Sequence, residues 1–154
     1  MGFGCKTFPL CRIGIRSENG VITALILPCD APETAPDDPL LAEAFRELEE
    51  YFSGTRQTFD LPLAPQGTAF QRRVWEALRR IPYGGTATYR EIADAVDCPG
   101  GSRAVGMANH CNPIAIFIPC HRVIGANGKL VGYAGGLDLK RKLLELEAGT
   151  ESLF

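Results

Sequence analysis

Residues 116–122 read Ile-Phe-Ile-Pro-Cys-His-Arg. Three apolar residues in a row belong in a core, and the proline behind them ends whatever regular structure they form. The run therefore predicts a buried strand over Ile114–Ile118 that delivers Cys120 and His121 to an abrupt turn. A merely buried cysteine is inert, whereas one beside a base or a cation becomes a nucleophile. Histidine is the usual base for that purpose, and His121 is one of only two histidines in the chain.

The rest of the chain is set out around that turn by its breaks. Residues 3–8, 12–17 and 21–27 read as strands, with Glu18-Asn19-Gly20 as a hairpin turn. Pro28 to Pro39 is rich in proline and acid and reads as a loop. Asp38 caps, and Pro39 opens, a helix whose face is Leu41, Ala44, Phe45, Leu48 and Phe52. A second Pro/Gly-rich stretch, Pro62 to Gly67, marks a boundary between residues 1–67 and residues 68–154. Thr68 and Gln71 form a capping box for a helix to about Arg80, buried through Phe70, Val74, Trp75 and Leu78. Thr88 and Glu91 form another, followed by Ile92, Ala93 and Val96. Ser102 is placed to cap a helix from Arg103 to about Asn109. Two short helices across a Gly-containing turn match a helix-turn-helix, or else an ordinary helical hairpin in a core. Asn127-Gly128 makes a tight turn, 131–136 a Gly-rich loop, and Asp138 caps a last helix with Leu139, Leu143, Leu144 and Leu146 inside. The predicted class is α/β in the α+β sense: a small sheet with a helix, then a mainly helical part.

Charge follows the same division. Residues 1–68 carry a balance of −5 and residues 69–154 one of +3. A basic second part is suited to phosphate, although scatter in surface charge gives the same numbers. No apolar run approaches the roughly 20 residues of a membrane span. The first residues lack the apolar core of a secretory signal, so a cytoplasmic protein with reduced thiols is expected. The chain has 6 cysteines but no Cys-x-x-Cys, and no metal site or cofactor is expected.

Pro119-Cys120-His121-Arg122-Val123 resembles the active-site signature of the O6-alkylguanine-DNA alkyltransferases, the methylated-DNA–protein-cysteine methyltransferases. Thr88-Tyr89, Ser102-Arg103-Ala104-Val105-Gly106, Asn112-Pro113, Tyr133-Ala134-Gly135-Gly136 and Glu147 fall in that family's order and spacing. The likeness is close over residues 68 to 149. Residues 1–67 match only in outline, as the family's variable, ribonuclease-H-like N-terminal domain.

The resemblance implies DNA repair by direct reversal. A damaged guanine is flipped out of double-stranded DNA, and Cys120 takes the alkyl group from its O6 atom once and irreversibly. O4-alkylthymine is implied as a poorer substrate. His121 would be the base, acting through a water, Glu147 would orient it, and Asn112 would brace the turns. Tyr89 would donate to the base ring. The carbonyls of Cys120 and Val123 would accept from the exocyclic amine, and the N–H of Ala134 would reach O6. Tyr133 would wall the pocket, with Gly135 and Met107 beside it. Arg103 would fill the gap in the base stack. Ala104, Gly106, Thr88 and Ser102 would lie against the DNA, in the minor groove. A monomer is expected. Ala134 stands where some relatives have serine, and the N-terminal histidines that hold zinc in some relatives are absent. The alternative is an alkyltransferase-like protein that binds the lesion without transfer, but that class replaces the reactive cysteine. A helix-turn-helix regulator leaves the Pro-Cys-His-Arg run unexplained, and another kind of cysteine hydrolase would turn over esters or amides without DNA.

Overall fold

The structure, a computed structural model, describes residues 2–133 and 135–149. Strands β1 (Gly2–Thr7), β2 (Arg12–Glu18) and β3 (Val21–Ile26) form an antiparallel sheet in the order β1-β2-β3. Alternation along β2 buries Ile13 and Ile15 completely. Asn19 (φ 50°) and Gly20 (φ 80°) turn β2 into β3 with both central residues left-handed, the requirement of a two-residue hairpin. Helix α1 (Pro39–Phe52) packs across this sheet; Asp38 caps it by accepting from Leu41 N at 2.8 Å, and Pro39 occupies its first turn.

The free edge of β3 is covered by two later segments. Ile22 N donates to Pro62 O and Ala64 N donates to Ile22 O, while Leu25 N donates to Pro113 O. The connection after α1 and the approach to the Cys-His turn are thereby both fixed to the first sheet.

Helices α2 (Ala69–Leu78), α3 (Tyr89–Ala95) and α4 (Ser102–His110) form the second layer. Both expected capping boxes are present, on Thr68 with Gln71 and on Thr88 with Glu91. Trp75 is buried and its indole Nε1 donates to Ala108 O at 2.8 Å, which ties α2 to α4. Strand β4 (Ala87–Thr88) runs parallel to β5 (Val123–Ile124), and α5 (Leu137–Glu147) closes the molecule. The α+β expectation holds. Among the described residues no helix is long and apolar enough to cross a membrane.

Three local expectations are corrected. Ile114–Ile118 is not a strand. Phe117 N donates to Ala115 O across Ile116 at φ 70°, and Cys120 N donates to Ile118 O across Pro119 at φ −80° and ψ 65°. These are two successive three-residue turns of opposite hand. An apolar run requires burial but not extension, and five residues here must reverse direction inside the core. Ser102 is the first residue of α4 rather than its cap. Gly101 takes the capping position and no side chain bonds there, because Gly100 (φ 78°) has already turned the chain. Asp138 likewise lies inside the first turn of α5 behind Gly136 (φ 95°) and pairs with Arg141. Its charge still suits a helix N-terminus.

Candidate active site

Cys120, His121 and Arg122 form one turn of 3₁₀ helix immediately after Pro119. All three are buried, at 4%, 0% and 6% exposure. Glu147, from the end of α5, faces them. His121 Nε2 lies 2.7 Å from Glu147 Oε2. Arg122 Nε donates to Oε1 at 2.7 Å and Nη2 to Oε2 at 3.0 Å, while Nη1 donates to Ile81 O at 2.7 Å. Tyr51 of α1 donates its hydroxyl proton to Glu147 Oε2 at 2.6 Å. Of the expected residues, His121 and Glu147 thus meet directly, with Cys120 next to His121 in the same buried turn. Two partners unassigned by sequence, Arg122 and Tyr51, complete the contacts of the Glu147 carboxylate.

The protonation states follow from these contacts. Burial would push Glu147 upward, but its bond with His121 and the Arg122 charge outweigh burial and hold it at about 2. Burial holds His121 below its ordinary range despite the neighbouring carboxylate. At neutral pH the imidazole is therefore neutral, and Arg122 supplies the counter-charge. A carboxylate only accepts, so Nε2 carries the imidazole proton. Nδ1 is left as the basic nitrogen, buried without a hydrogen-bond partner among the described residues. Burial raises the Cys120 thiol to about 11, against smaller lowering effects from Asn112 and Lys140. At rest the pair is thiol and neutral imidazole.

Lys140, also missed in the sequence, is fully buried on α5. Its Nζ donates to Val131 O at 2.9 Å and Gly132 O at 3.4 Å, and lies 5.9 Å from the centre of the Tyr89 ring. Burial lowers it to about 8, with the Cys120 charge acting in the opposite sense. An ammonium held there favours a thiolate at Cys120.

Asn112 braces the turns as expected. Its Nδ2 donates to Ile118 O at 2.8 Å and its Oδ1 accepts from Ile114 N at 3.0 Å. Tyr89 donates to Val131 O at 2.8 Å, so its hydroxyl proton is committed to the 131–133 loop. Val123 is buried in β5, paired with Ala87. Tyr133 is buried with its hydroxyl unpartnered among the described residues. A Cβ at Gly135 would meet the end of the Leu139 side chain at 2.5 Å, so any larger residue there requires Leu139 to shift. Ala134 lies outside the described residues.

Helix α4 carries the residues expected to face DNA. Arg103 and Ala104 are exposed, as is Met107 at 64%. Ser102, Arg103, Gly106 and Met107 line a cavity of about 420 Å³ with Tyr89 and Val131. Thr88 stands apart from it as the cap of α3. Among the described residues no cluster of three or more His, Cys, Asp or Glu side chains is placed to hold a metal.

The thiol state has a direct consequence. A thiol raised to about 11 is roughly a thousandth ionised at pH 8, and only the thiolate reacts with iodoacetamide. Exposed Cys111 should be carbamidomethylated well before Cys120 in the folded protein. Peptide mapping that finds Cys120 labelled first would contradict this state.

Comparison with known proteins identifies the family. The profile of the 6-O-methylguanine DNA methyltransferase DNA-binding domain matches residues 69–149. The chain belongs to the 6-O-methylguanine DNA methyltransferase family. The ribonuclease-like domain of the same family matches residues 7–65. A methylated-DNA–protein-cysteine methyltransferase of Methanosarcina acetivorans is 60% identical over 111 residues, 72% of this chain and 71% of that protein. One from Methanosarcina mazei is 50% identical over 145 residues, 91% of this chain and 90% of that protein. The Mycobacterium tuberculosis OGT, solved in complex with DNA, superposes with a TM-score of 0.87 at 46% identity, covering 96% of this chain and 92% of that one. Cys120, His121, Glu147 and helix α4 all lie within the residues that the DNA-binding-domain profile matches.

Proposed function

We propose that the protein repairs alkylated DNA by direct reversal, moving the alkyl group from O6-alkylguanine to Cys120 once per molecule. By class it is a methylated-DNA–protein-cysteine S-methyltransferase. The observation that carries the reading is the buried Cys120-His121 turn, whose imidazole is held by the Glu147 carboxylate at 2.7 Å. The relatives' names and the DNA complex of the mycobacterial protein support it.

The residues account for each step. The thiol proton passes towards His121 Nδ1, the unpaired basic nitrogen. The imidazolium so formed is stabilised through Nε2 by Glu147, which Arg122 and Tyr51 hold in place. Lys140 favours the thiolate. Sulfur then attacks the alkyl carbon, a carbon–sulfur bond forms, and the carbon–O6 bond breaks with its electron pair left on the base. The base takes up one proton and becomes guanine, so that overall the thiol proton is transferred to it. The thioether has no exit, and the molecule is spent.

The finer expectations belong to this proposal. The target base is flipped from double-stranded DNA, α4 enters the minor groove, and Arg103 fills the gap in the stack. Ala104, Gly106 and Ser102 allow close approach to the backbone. Tyr89, Val123, Tyr133, Ala134, Gly135 and Met107 surround the base. Residues 1–67 act as a supporting domain that contributes Tyr51, and residues 68–154 carry the chemistry. The protein works as a cytoplasmic monomer.

Arg103→Ala separates flipping from chemistry. It should slow repair of O6-methylguanine in duplex DNA by about 10-fold or more, since filling the stack offsets a few kcal/mol of unstacking. Reaction with free O6-benzylguanine base, which needs no flipping, should be nearly unchanged. Equal losses on both substrates would remove this role from Arg103.

A further inference from the structure

Among the described residues, three donors meet at Glu147 Oε2. Tyr51 gives its hydroxyl proton at 2.6 Å, His121 Nε2 lies at 2.7 Å, and Arg122 Nη2 donates at 3.0 Å. The other oxygen, Oε1, takes Arg122 Nε at 2.7 Å. A carboxylate oxygen offers about two lone-pair directions. Tyr51 and His121 therefore compete for one atom.

Tyr51 is firmly set in that place. It is fully buried on α1, with its ring 5.3 Å from that of Phe59 and edge-on to that of Tyr83 at 6.2 Å. Burial and the Glu147 charge push its hydroxyl well above the ordinary tyrosine range, so it stays protonated and donates wherever histidine titrates. The other groups facing the His121–Glu147 pair are Arg122 and Cys120 of the same turn, Lys140 of α5, Tyr83 before β4 and Tyr133 before α5. Tyr83 gives its hydroxyl proton to Leu146 O at 3.4 Å, and the Tyr133 hydroxyl has no partner among the described residues. Of these three tyrosines, Tyr51 is the one that bonds the carboxylate.

Charge gives the direction of the effect. A hydrogen bond draws negative charge from the oxygen that accepts it, so the bond from Tyr51 leaves less charge on Oε2 to stabilise an imidazolium at Nε2. His121 acts as a relay, taking the thiol proton that ends on the departing guanine. A base used in this way works best when neither protonation state is held too firmly. With the whole charge of Oε2 turned on Nε2, the imidazole would be protonated at rest, and an imidazolium cannot accept the thiol proton.

We propose that Tyr51 is a positioning residue through which the first domain keeps His121 neutral: by sharing Glu147 Oε2 with the imidazole, it withholds part of the carboxylate charge and leaves Nδ1 free to take the thiol proton. This rests on the reading of the site as an alkyltransferase. It gives residues 1–67 a part in the chemistry through one side chain on α1.

The test measures single-turnover methyl transfer from saturating duplex O6-methylguanine as a function of pH, together with the NMR titration of His121. Tyr51→Phe keeps the ring and removes the donor. The acid limb of its rate profile, and the His121 titration with it, should move to higher pH. The proton concentration at half-maximal transfer should fall by about 3-fold or more, part of the effect of losing a hydrogen bond to a charged group. Tyr83→Phe removes a hydroxyl from the same cluster without taking a bond from the carboxylate, and should keep the wild-type midpoint. A merely structural Tyr51 predicts an equal loss of rate at every pH. An unchanged midpoint in Tyr51→Phe, a midpoint moved to lower pH, or the same shift in Tyr83→Phe would overturn the proposal. If Tyr51→Phe does not fold, the wild-type protein is read instead: the Tyr51 hydroxyl proton resonance should move as His121 titrates, and a resonance indifferent to that titration would overturn the proposal. Failure of the wild-type protein to take a methyl group from O6-methylguanine would overturn the alkyltransferase reading, while the His121 titration still reads the competition at Oε2 by itself.

Discussion

Cys120→Ser is expected to lower methyl uptake from one group per protein to none while leaving affinity for duplex DNA within about twofold. The first half follows from the nucleophile. Displacement at a saturated carbon needs a soft, highly nucleophilic atom, which a thiolate is and a serine hydroxyl is not. The second half follows from location. Cys120 is buried beneath the α4 surface, whereas Arg103, Ala104 and Met107 stand exposed on it. Replacing sulfur by oxygen removes no group from that surface, and changes that leave an interface intact usually cost under about 0.5 kcal/mol. Mass measurement of the protein and a DNA mobility shift check the two halves separately. Transfer retained by the serine variant would contradict the assignment of Cys120. Loss of DNA affinity along with transfer would mean that the Cys-His turn itself shapes the docking surface.

Glu147→Gln is the second change with a large expected effect, because four groups depend on that carboxylate. It accepts from Tyr51, His121 and both faces of the Arg122 fork. Removing its charge leaves Arg122 buried without a counter-ion, a situation that typically costs about 3–5 kcal/mol. For a domain of this size that corresponds to a fall in Tm on the order of 10 °C. The imidazolium also loses its stabiliser, so transfer should slow by about 10²-fold or more, as when a general base loses its support.

The pH dependence distinguishes this ion pair from simple packing. Glu147 is held at about 2 in the folded protein against an ordinary value of 4.5. Its contribution is therefore fully present above about pH 4.5 and is lost as the pH falls from there towards 2. The magnitude is about 3 kcal/mol. Urea unfolding of the wild-type protein at stepped pH should register that decline, and the glutamine variant should lack it. Parallel pH profiles for the two proteins would remove the buried carboxylate from the account.

Much of the fold was legible because its signals are local. Asp38-Pro39, Thr68 with Gln71, and Thr88 with Glu91 announce helix starts through contacts within four residues. Asn19-Gly20 announces a hairpin because few other pairs accept two left-handed conformations. The pairing of His121 with Glu147 was legible because Cys120 and His121 are adjacent and the family spacing pointed to Glu147. The less legible features are long-range or backbone effects. Tyr51 meets Glu147 across 96 positions, and nothing near Tyr51 marks it as other than a core aromatic on α1. Lys140 reads as one basic residue among Arg141 and Lys142, and only the fold turns it inward. The left-handed conformation of Ile116 is invisible in the sequence because a β-branched residue is among the least expected there.

Intact-protein mass after incubation with a duplex carrying one O6-methylguanine tests the central claim most directly. The account predicts a gain of one methylene, saturating at one per protein and located on Cys120 by peptide mapping. No gain, a gain on another cysteine, or release of more than one repaired guanine per protein would contradict it.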